Sequence, residues 1–446
     1  MHTLDIKKLI AWGAYALCML AVFLYYDRFV LSLPFAALCL LVFSGVLLNS
    51  QSGKETEPSC KERPGRKVRN FSGKTGDKAL CAVSEAGAAG RSKGRSPDKG
   101  FRDPAFDILR ILAVFLVICA HVFQAELGFS GEDSMKLRLM EGIALVCNPL
   151  YVMLSGALLL RWKEESIPEF YARRLGRIVL PLVTYYAFYL WENGLFRGLG
   201  LWEALGLMFG NLIACHTPET PYYWLIFVII SLYVVFPFLR YMLRDLPYGV
   251  LSAMSVLALI CMTAVSFTAV LPGAFFFSNF LSGWLGAAIL GYFVSQGRSR
   301  RFDLIFMLSG IAALFFIAYM IMNGTDLTVR YASAAPELCL LAMALFAMTL
   351  HFSHKAGGRL RRVLSFISEQ SYGMILIHWW VLYWPLKRIF GFGDRSLGIP
   401  LCFLCAAASF VISLIAAFGI NRLVIYPIEI FFRFVRKSFH KLHTIA

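Results

Sequence analysis

Residues 105–122 read AFDILRILAVFLVICAHV. As an α-helix this run nearly crosses a hydrocarbon core of about 30 Å, since each residue advances about 1.5 Å. Two ionisable side chains interrupt it, Arg110 and His121. They are eleven residues apart, which at about 100° per residue is about 20° past three turns. They therefore share one helix face, about 16 Å apart along the axis. Ionisable groups inside a span are costly and mark function by default. Asp107 precedes Arg110 by three residues, where a carboxylate can neutralise or orient the guanidinium. A blander reading has Arg110 snorkelling to the interface and His121 bonding a neighbouring helix.

Similar apolar runs fill most of the chain. Of 446 residues, 59% are hydrophobic and 16% charged, and the mean hydropathy is +0.66. That balance excludes a soluble enzyme, a disordered chain and a conventional DNA-binding protein. It specifies an all-α polytopic membrane protein. Two spans come first, near 9–26 and 29–49, read as retained helices rather than a signal peptide. Residues 50–103 are rich in Gly, Ser, Lys and Arg and form a basic, disordered linker. Ten spans follow, near 105–126, 139–160, 178–193, 222–239, 247–267, 276–295, 303–322, 332–350, 371–388 and 399–422. Residues 201–215 are too short and Gly-interrupted to span and are expected to lie in the interface or re-enter it. Residues 435–446 form a basic tail.

The formal net charge is +16. Twelve spans with both ends cytoplasmic place 34 of the 43 Lys and Arg inside and 8 outside, leaving Arg110 within the membrane. The positive-inside rule thus accounts for the charge, and nucleic acid is not needed to explain it. The linker has 13 basic residues and no aromatic-rich binding motif, which suits a solvated tether near anionic lipid heads. Most of the 11 cysteines lie in apolar runs, as packing residues do, including the Cys402–Cys405 pair. His351 and His354 have no further ligands near in sequence, so no metal site is expected.

Five segments in order resemble the acyltransferase-3 family of bacterial integral membrane acyltransferases. They are the Arg110-x10-His121 span, PLYVMLSG at 149–156, YARRLGRIVLP at 171–181, YYWLIFVIISLYVVFPFL at 222–239 and SEQSYGMILIH at 368–378. Together they cover residues 101 to about 430. The family has an aromatic after L-S-G, whereas this chain has Ala157. The resemblance implies a membrane acyltransferase domain over 104–434, of about ten helices, with two additional helices in 1–49. It implies an O-acyltransferase of the bacterial inner membrane, both termini cytoplasmic. The acyl group, acetyl above succinyl or another small acyl, would pass from cytoplasmic acyl-CoA to a hydroxyl of an envelope glycan or its lipid-linked precursor. A transporter or flippase of a glycan intermediate is the alternative from twelve spans alone, but no repeat of halves is visible.

On this reading His121 is the general base, or a transient acyl-histidine, and Arg110 orients the donor or its thioester oxyanion with Asp107 beside it. Arg173, Arg174 and Arg177 are candidates for the CoA phosphates, which guanidinium forks suit. Tyr151, Ser155, Trp224, Ser371 and His378 are candidates for substrate contact. Ser155 and Gly156 fit a close helix–helix contact equally well. Glu192, His216 and Glu219 are weaker external candidates. The expected partners are membrane lipids and the glycan acceptor, without nucleic acid, and a homo-oligomer stays open.

Overall fold

A computed structural model describes residues 103–129, 134–266, 278–296, 300–325, 334–353 and 357–430. The two expected N-terminal spans, nearly all of the linker and the basic tail lie outside the described residues. Among the described residues there is no strand. The chain is an all-α, multi-pass membrane protein. Among the described residues six segments are long and apolar enough to cross a membrane, namely Pro104–Leu127, Met135–Leu159, Pro221–Leu243, Tyr248–Ser266, Asp303–Met322 and Ile399–Ile430.

Helix α1 spans Pro104–Leu127. Asp103 caps it, accepting from the Ala105 amide at 3.0 Å, and Pro104 opens it where no amide partner is required. Helices α2 (Ser134–Ala144) and α3 (Cys147–Leu159) follow. The span expected at 139–160 lies in one apolar segment, Met135–Leu159, which turns at Leu145–Val146 between two helices. The span expected at 178–193 belongs to α4, Ile167–Glu192. Ser166 caps it by accepting from the Glu169 amide at 3.3 Å, and Pro168 stands in its first turn. Its polar first turns carry the Arg173–Arg177 segment, which is therefore helix and not loop. Helix α5 (Leu201–Ile213) leaves Leu201, Trp202 and Ile213 largely exposed, as an interfacial helix does.

A short 3₁₀ turn at Pro221–Tyr223 leads into α6 (Trp224–Leu243), then α7 (Tyr248–Ser266), α8 (Trp284–Gln296), α9 (Arg300–Met322) and α10 (Pro336–Phe352). Helix α11 runs Gly358–Val381, earlier than the expected 371–388. Pro385, which lacks an amide hydrogen, lies in a π turn at Leu382–Leu386 that carries the chain into the short α12 (Lys387–Phe390). Helix α13 (Ile399–Ile420) closes the bundle.

Helix α1 is the hub and packs against α2, α3, α10, α11 and α13. The Glu126 carboxylate at its far end accepts the Leu397 and Gly398 amides at 2.9 Å, together with the Ser396 hydroxyl, and so fixes the start of α13. Helices α3 and α8 cross at small residues. A Cβ on Gly156 would stand 1.9 Å from the Ala288 carbonyl oxygen, and one on Gly291 would stand 2.0 Å from that of Met153. Without a hydrophobic drive between helices in lipid, such close backbone approach supplies the attraction. Gly156 is thus a helix contact.

The Gly156→Ala variant should unfold at lower temperature in detergent, by the roughly 1–3 kcal/mol typical of overpacking. Gly206→Ala in α5, where no atom lies within 4 Å of the added Cβ, should not lose stability. Thermal unfolding followed by size-exclusion fluorescence compares the two.

Candidate functional site

Arg110 faces inward from the first third of α1. Its guanidinium donates to the Ser368 hydroxyl at 2.7 Å and lies 3.6 Å from the Asp107 carboxylate. Asp107 is buried, whereas the Arg110 side chain keeps 26% of its surface. The cation is therefore oriented from two sides without being sealed. Tyr151 of α3 lies within electrostatic reach of Arg110, its hydroxyl buried and without a hydrogen-bond partner. Tyr233 of α6 lies within reach of both Arg110 and Arg174 and bonds Ser155. Five residues from four segments thus meet around one guanidinium: Asp107, Tyr151, Ser155, Tyr233 and Ser368.

Next to this cluster the chain between α3 and α4 meets the ends of α4 and α6. Arg240 and Glu165 form a buried ion pair at 3.2 Å, both side chains 3% exposed. Arg240 also donates to the Leu159 carbonyl at 2.7 and 2.9 Å and lies over the Phe170 ring. Arg173 is held by Glu165 and Glu169, so its charge is largely balanced. Arg174 stacks at the Phe170 ring and leaves its buried Nε without a hydrogen-bond partner. Arg177 is exposed, one turn on. Burial, and then the guanidinia of Arg174 and Arg240, hold the Lys163 ammonium below the ordinary lysine range. This patch has more cation than its carboxylates balance, which suits a polyanion such as a phosphate chain.

About three turns farther along the same face, the His121 ring stacks on His378 of α11, centroids 5.3 Å apart and planes 23° from parallel. Tyr222 sets its edge against both rings, and Trp379 stands edge-on to His121 at 5.3 Å. Gln124, on the next turn of α1, is a hydrogen-bond partner of His121. Two cavities meet at His121. One, of about 310 Å³, is mostly apolar but includes Gln124, Glu141 and Asn148. The other, of about 480 Å³, is walled by Trp224, Trp379 and Tyr383. His121, Gln124, Tyr222 and Trp224 belong to both walls. An imidazole within hydrogen-bond reach of two cavities can take a proton from a group in one and return it to a group in the other.

His378 lines neither cavity and is fully buried behind His121. Ser371, one helical face earlier, is buried between the two clusters. Of the weaker external candidates, Glu219 accepts from the Tyr186 hydroxyl at 2.9 Å, and Tyr186 in turn accepts from Asn211 of α5. Sequence reading did not single out Gln124, Glu141, Asn148, Ser368 or Trp379. Gln124 and Ser368 are legible in principle, because each stands three residues, about one turn, from a singled-out residue, His121 and Ser371 respectively. Among the described residues no group of three or more His, Cys, Asp or Glu side chains is placed to hold a metal ion.

A family model described as an acyltransferase domain matches residues 103–418, so the match spans both clusters and the helices between them. No curated protein and no solved structure matches the chain.

The buried pair carries the shape of the cationic patch. Glu165→Ala leaves Arg240 buried and uncompensated, and a loss of about 3–5 kcal/mol is expected. Arg173→Ala, at the exposed edge, should leave the unfolding temperature unchanged. Thermal melts of the purified variants read the difference.

Proposed function

The chain belongs to the acyltransferase-3 family, and within it we propose that it moves a small acyl group, acetyl first, from cytoplasmic acyl-CoA to a hydroxyl of a bacterial cell-envelope glycan or its lipid-linked precursor. The protein is a membrane acyltransferase acting on groups other than aminoacyl groups. The observation that carries the finer reading is the division of one α1 face between a fixed cation, Arg110, and an imidazole at the meeting of two cavities, His121.

In this reading the donor's phosphates rest on Arg174 and Arg177, with Arg173 framing the patch through its two carboxylates. The thioester arm reaches from there past Arg110. Tyr151 and Ser155 line the approach on α3, and Ser371 lines it on α11. Arg110, held by Asp107 and Ser368, aligns the arm and offers a permanent positive charge to developing negative charge. The acceptor hydroxyl enters the aromatic cavity, where Trp224, Trp379 and Tyr383 offer flat apolar faces of the kind on which sugar rings stack. His121 takes the hydroxyl proton as the oxygen attacks the thioester carbon. The C–O bond forms, the C–S bond breaks, and the departing thiolate recovers the proton from His121. An acyl-histidine route would use the same residue as nucleophile.

The sidedness rests on charge. With both termini cytoplasmic, 34 of 43 basic residues fall on the inner side, which supports that orientation, while the bacterial inner membrane is the reading that the family resemblance supports. The acyltransferase domain is assigned to 104–434, with 1–49 as a further membrane anchor joined to it by the basic linker.

His121→Ala should lower acyl transfer by at least about 100-fold while the protein inserts and elutes as the wild type does. Free-thiol release from acetyl-CoA by the purified enzyme, and the mass of the envelope glycan in cells, are the two readouts. Wild-type acylation by a well-expressed His121→Ala protein would remove His121 from the chemistry. Equal thiol release with succinyl-CoA would show that the donor site does not select acetyl.

A further inference from the structure

A second imidazole packed against the reacting one needs its own account. His378 is 0% exposed. Its Nδ1 lies 2.6 Å from the Ile375 carbonyl oxygen. A carbonyl only accepts, so Nδ1 carries hydrogen, and in the neutral ring Nε2 holds the free lone pair. That Nε2 is buried and has no hydrogen-bond partner. Leaving a buried polar atom unpaired costs about 1–3 kcal/mol, which is hard to reconcile with a purely structural role.

The surroundings hold the ring in this state. The Leu376 carbonyl accepts from Tyr222 at 2.8 Å and from Tyr223 at 3.3 Å. The Trp380 amide, one turn on, donates to the Tyr189 hydroxyl at 3.1 Å. The helix on both sides of His378 is thereby clamped by three tyrosines from α4 and the 3₁₀ turn. The clamp fixes the ring against His121 and leaves it little room to rotate. The titratable groups facing the two rings are Tyr222 of the 3₁₀ turn, Glu141 of α2, Cys147 of α3 and Tyr383 beyond α11. Among these only Glu141 is ordinarily ionised near neutral pH, and it stands across the cavity on the side of His121.

We propose that His378 is a positioning residue acting through His121, and that the two stacked rings together take up one proton, which resides on His121. This rests on the reading of His121 as the base. At rest both rings are neutral. When His121 takes the acceptor's proton, the neutral His378 behind it offers an electron-rich ring face to the new imidazolium. When the thiolate leaves, His121 returns that proton and the pair is neutral again. Two cations in contact at this depth would repel strongly, so the pair takes up one proton and no more.

The test uses the full-length enzyme in detergent or nanodiscs. His378→Gln keeps a donor for the Ile375 carbonyl but offers no ring face to His121, and His378→Phe keeps the ring volume. The expected result for Gln is a fall in kcat of about 10–100-fold, KM for acyl-CoA unchanged, and the acid limb of the kcat profile moved to lower pH. The shift follows because His121 loses the neighbour that supports its charged form. A lowered plateau with an unmoved acid limb, or wild-type kcat with the wild-type limb, would overturn the proposal. Should both variants fail to fold, ¹⁵N spectra of histidine-labelled wild-type enzyme decide it. His378 must appear as the Nδ1–H tautomer, with one proton taken up by the pair on acidification; two independent titrations overturn it. A fully active His121→Ala enzyme would instead defeat the assignment of the base, which separates the two failures.

Discussion

The pairing of α1 with α11 is the constraint on which the rest depends. Arg110 meets Ser368 at one level, and His121 meets His378 about three turns on. Both residue numbers rise together, eleven on one helix and ten on the other, so the two helices run parallel and nearly in register. A parallel pair cannot be joined by a short hairpin, and the chain reaches α11 only after α2 to α10 have been laid around α1. Helices α10 and α13 then close on the same hub. A cation at this depth is tolerable only where other groups replace its water. Arg110 has Asp107 from its own helix and Ser368 from α11, so the ionic demand of one residue helps to set the position of another helix.

The two ends of the pair are built from different chemistry. Around Arg110 and the α4 patch the charges are permanent, and the ion pairs Arg240–Glu165 and Arg173–Glu169 hold the backbone that presents them. Around His121 and His378 the close contacts are rings and hydroxyls. Fixed charge suits a donor that arrives already ionised. Groups that are neutral at rest suit a reaction in which charge appears only for its duration, because solvating that charge with pre-set dipoles requires little reorganisation.

How much of this could be read beforehand varies with the physics behind each feature. The shared face of Arg110 and His121 follows from helical period alone, and the all-α membrane class follows from apolar run length. The early start of α4 was written in Ser166, Pro168 and Glu169, a cap, a first-turn proline and a first-turn acid, but hydropathy passes over such signals. Arg240 enters a charge count only as a basic residue near a span end, whereas it is buried on Glu165, since charge counting has no term for burial. The break between α2 and α3 at Leu145–Val146 is announced by Pro149, which has no amide to bond the Leu145 carbonyl four residues back, a signal that hydropathy also passes over. The His121–His378 stack joins residues 257 positions apart and rests on Tyr222 and Trp379, and only tertiary structure brings those together.

The tyrosines explain why α11 holds its shape where a regular helix is interrupted. Pro385 removes one amide from the ladder and the π turn at Leu382–Leu386 absorbs the offset, which weakens the helix just beyond His378. In water a weakened turn would fray onto solvent. Just before that turn Tyr189, Tyr222 and Tyr223 bond the Trp380 amide and the Leu376 carbonyl and so brace the last regular part of the helix from outside. Tyr222 both bonds Leu376 and sets its edge against His121 and His378. Loss of its hydroxyl would therefore disturb helix and imidazole pair together. The bracing of α11 and the geometry of the histidine pair thus meet in one residue, Tyr222.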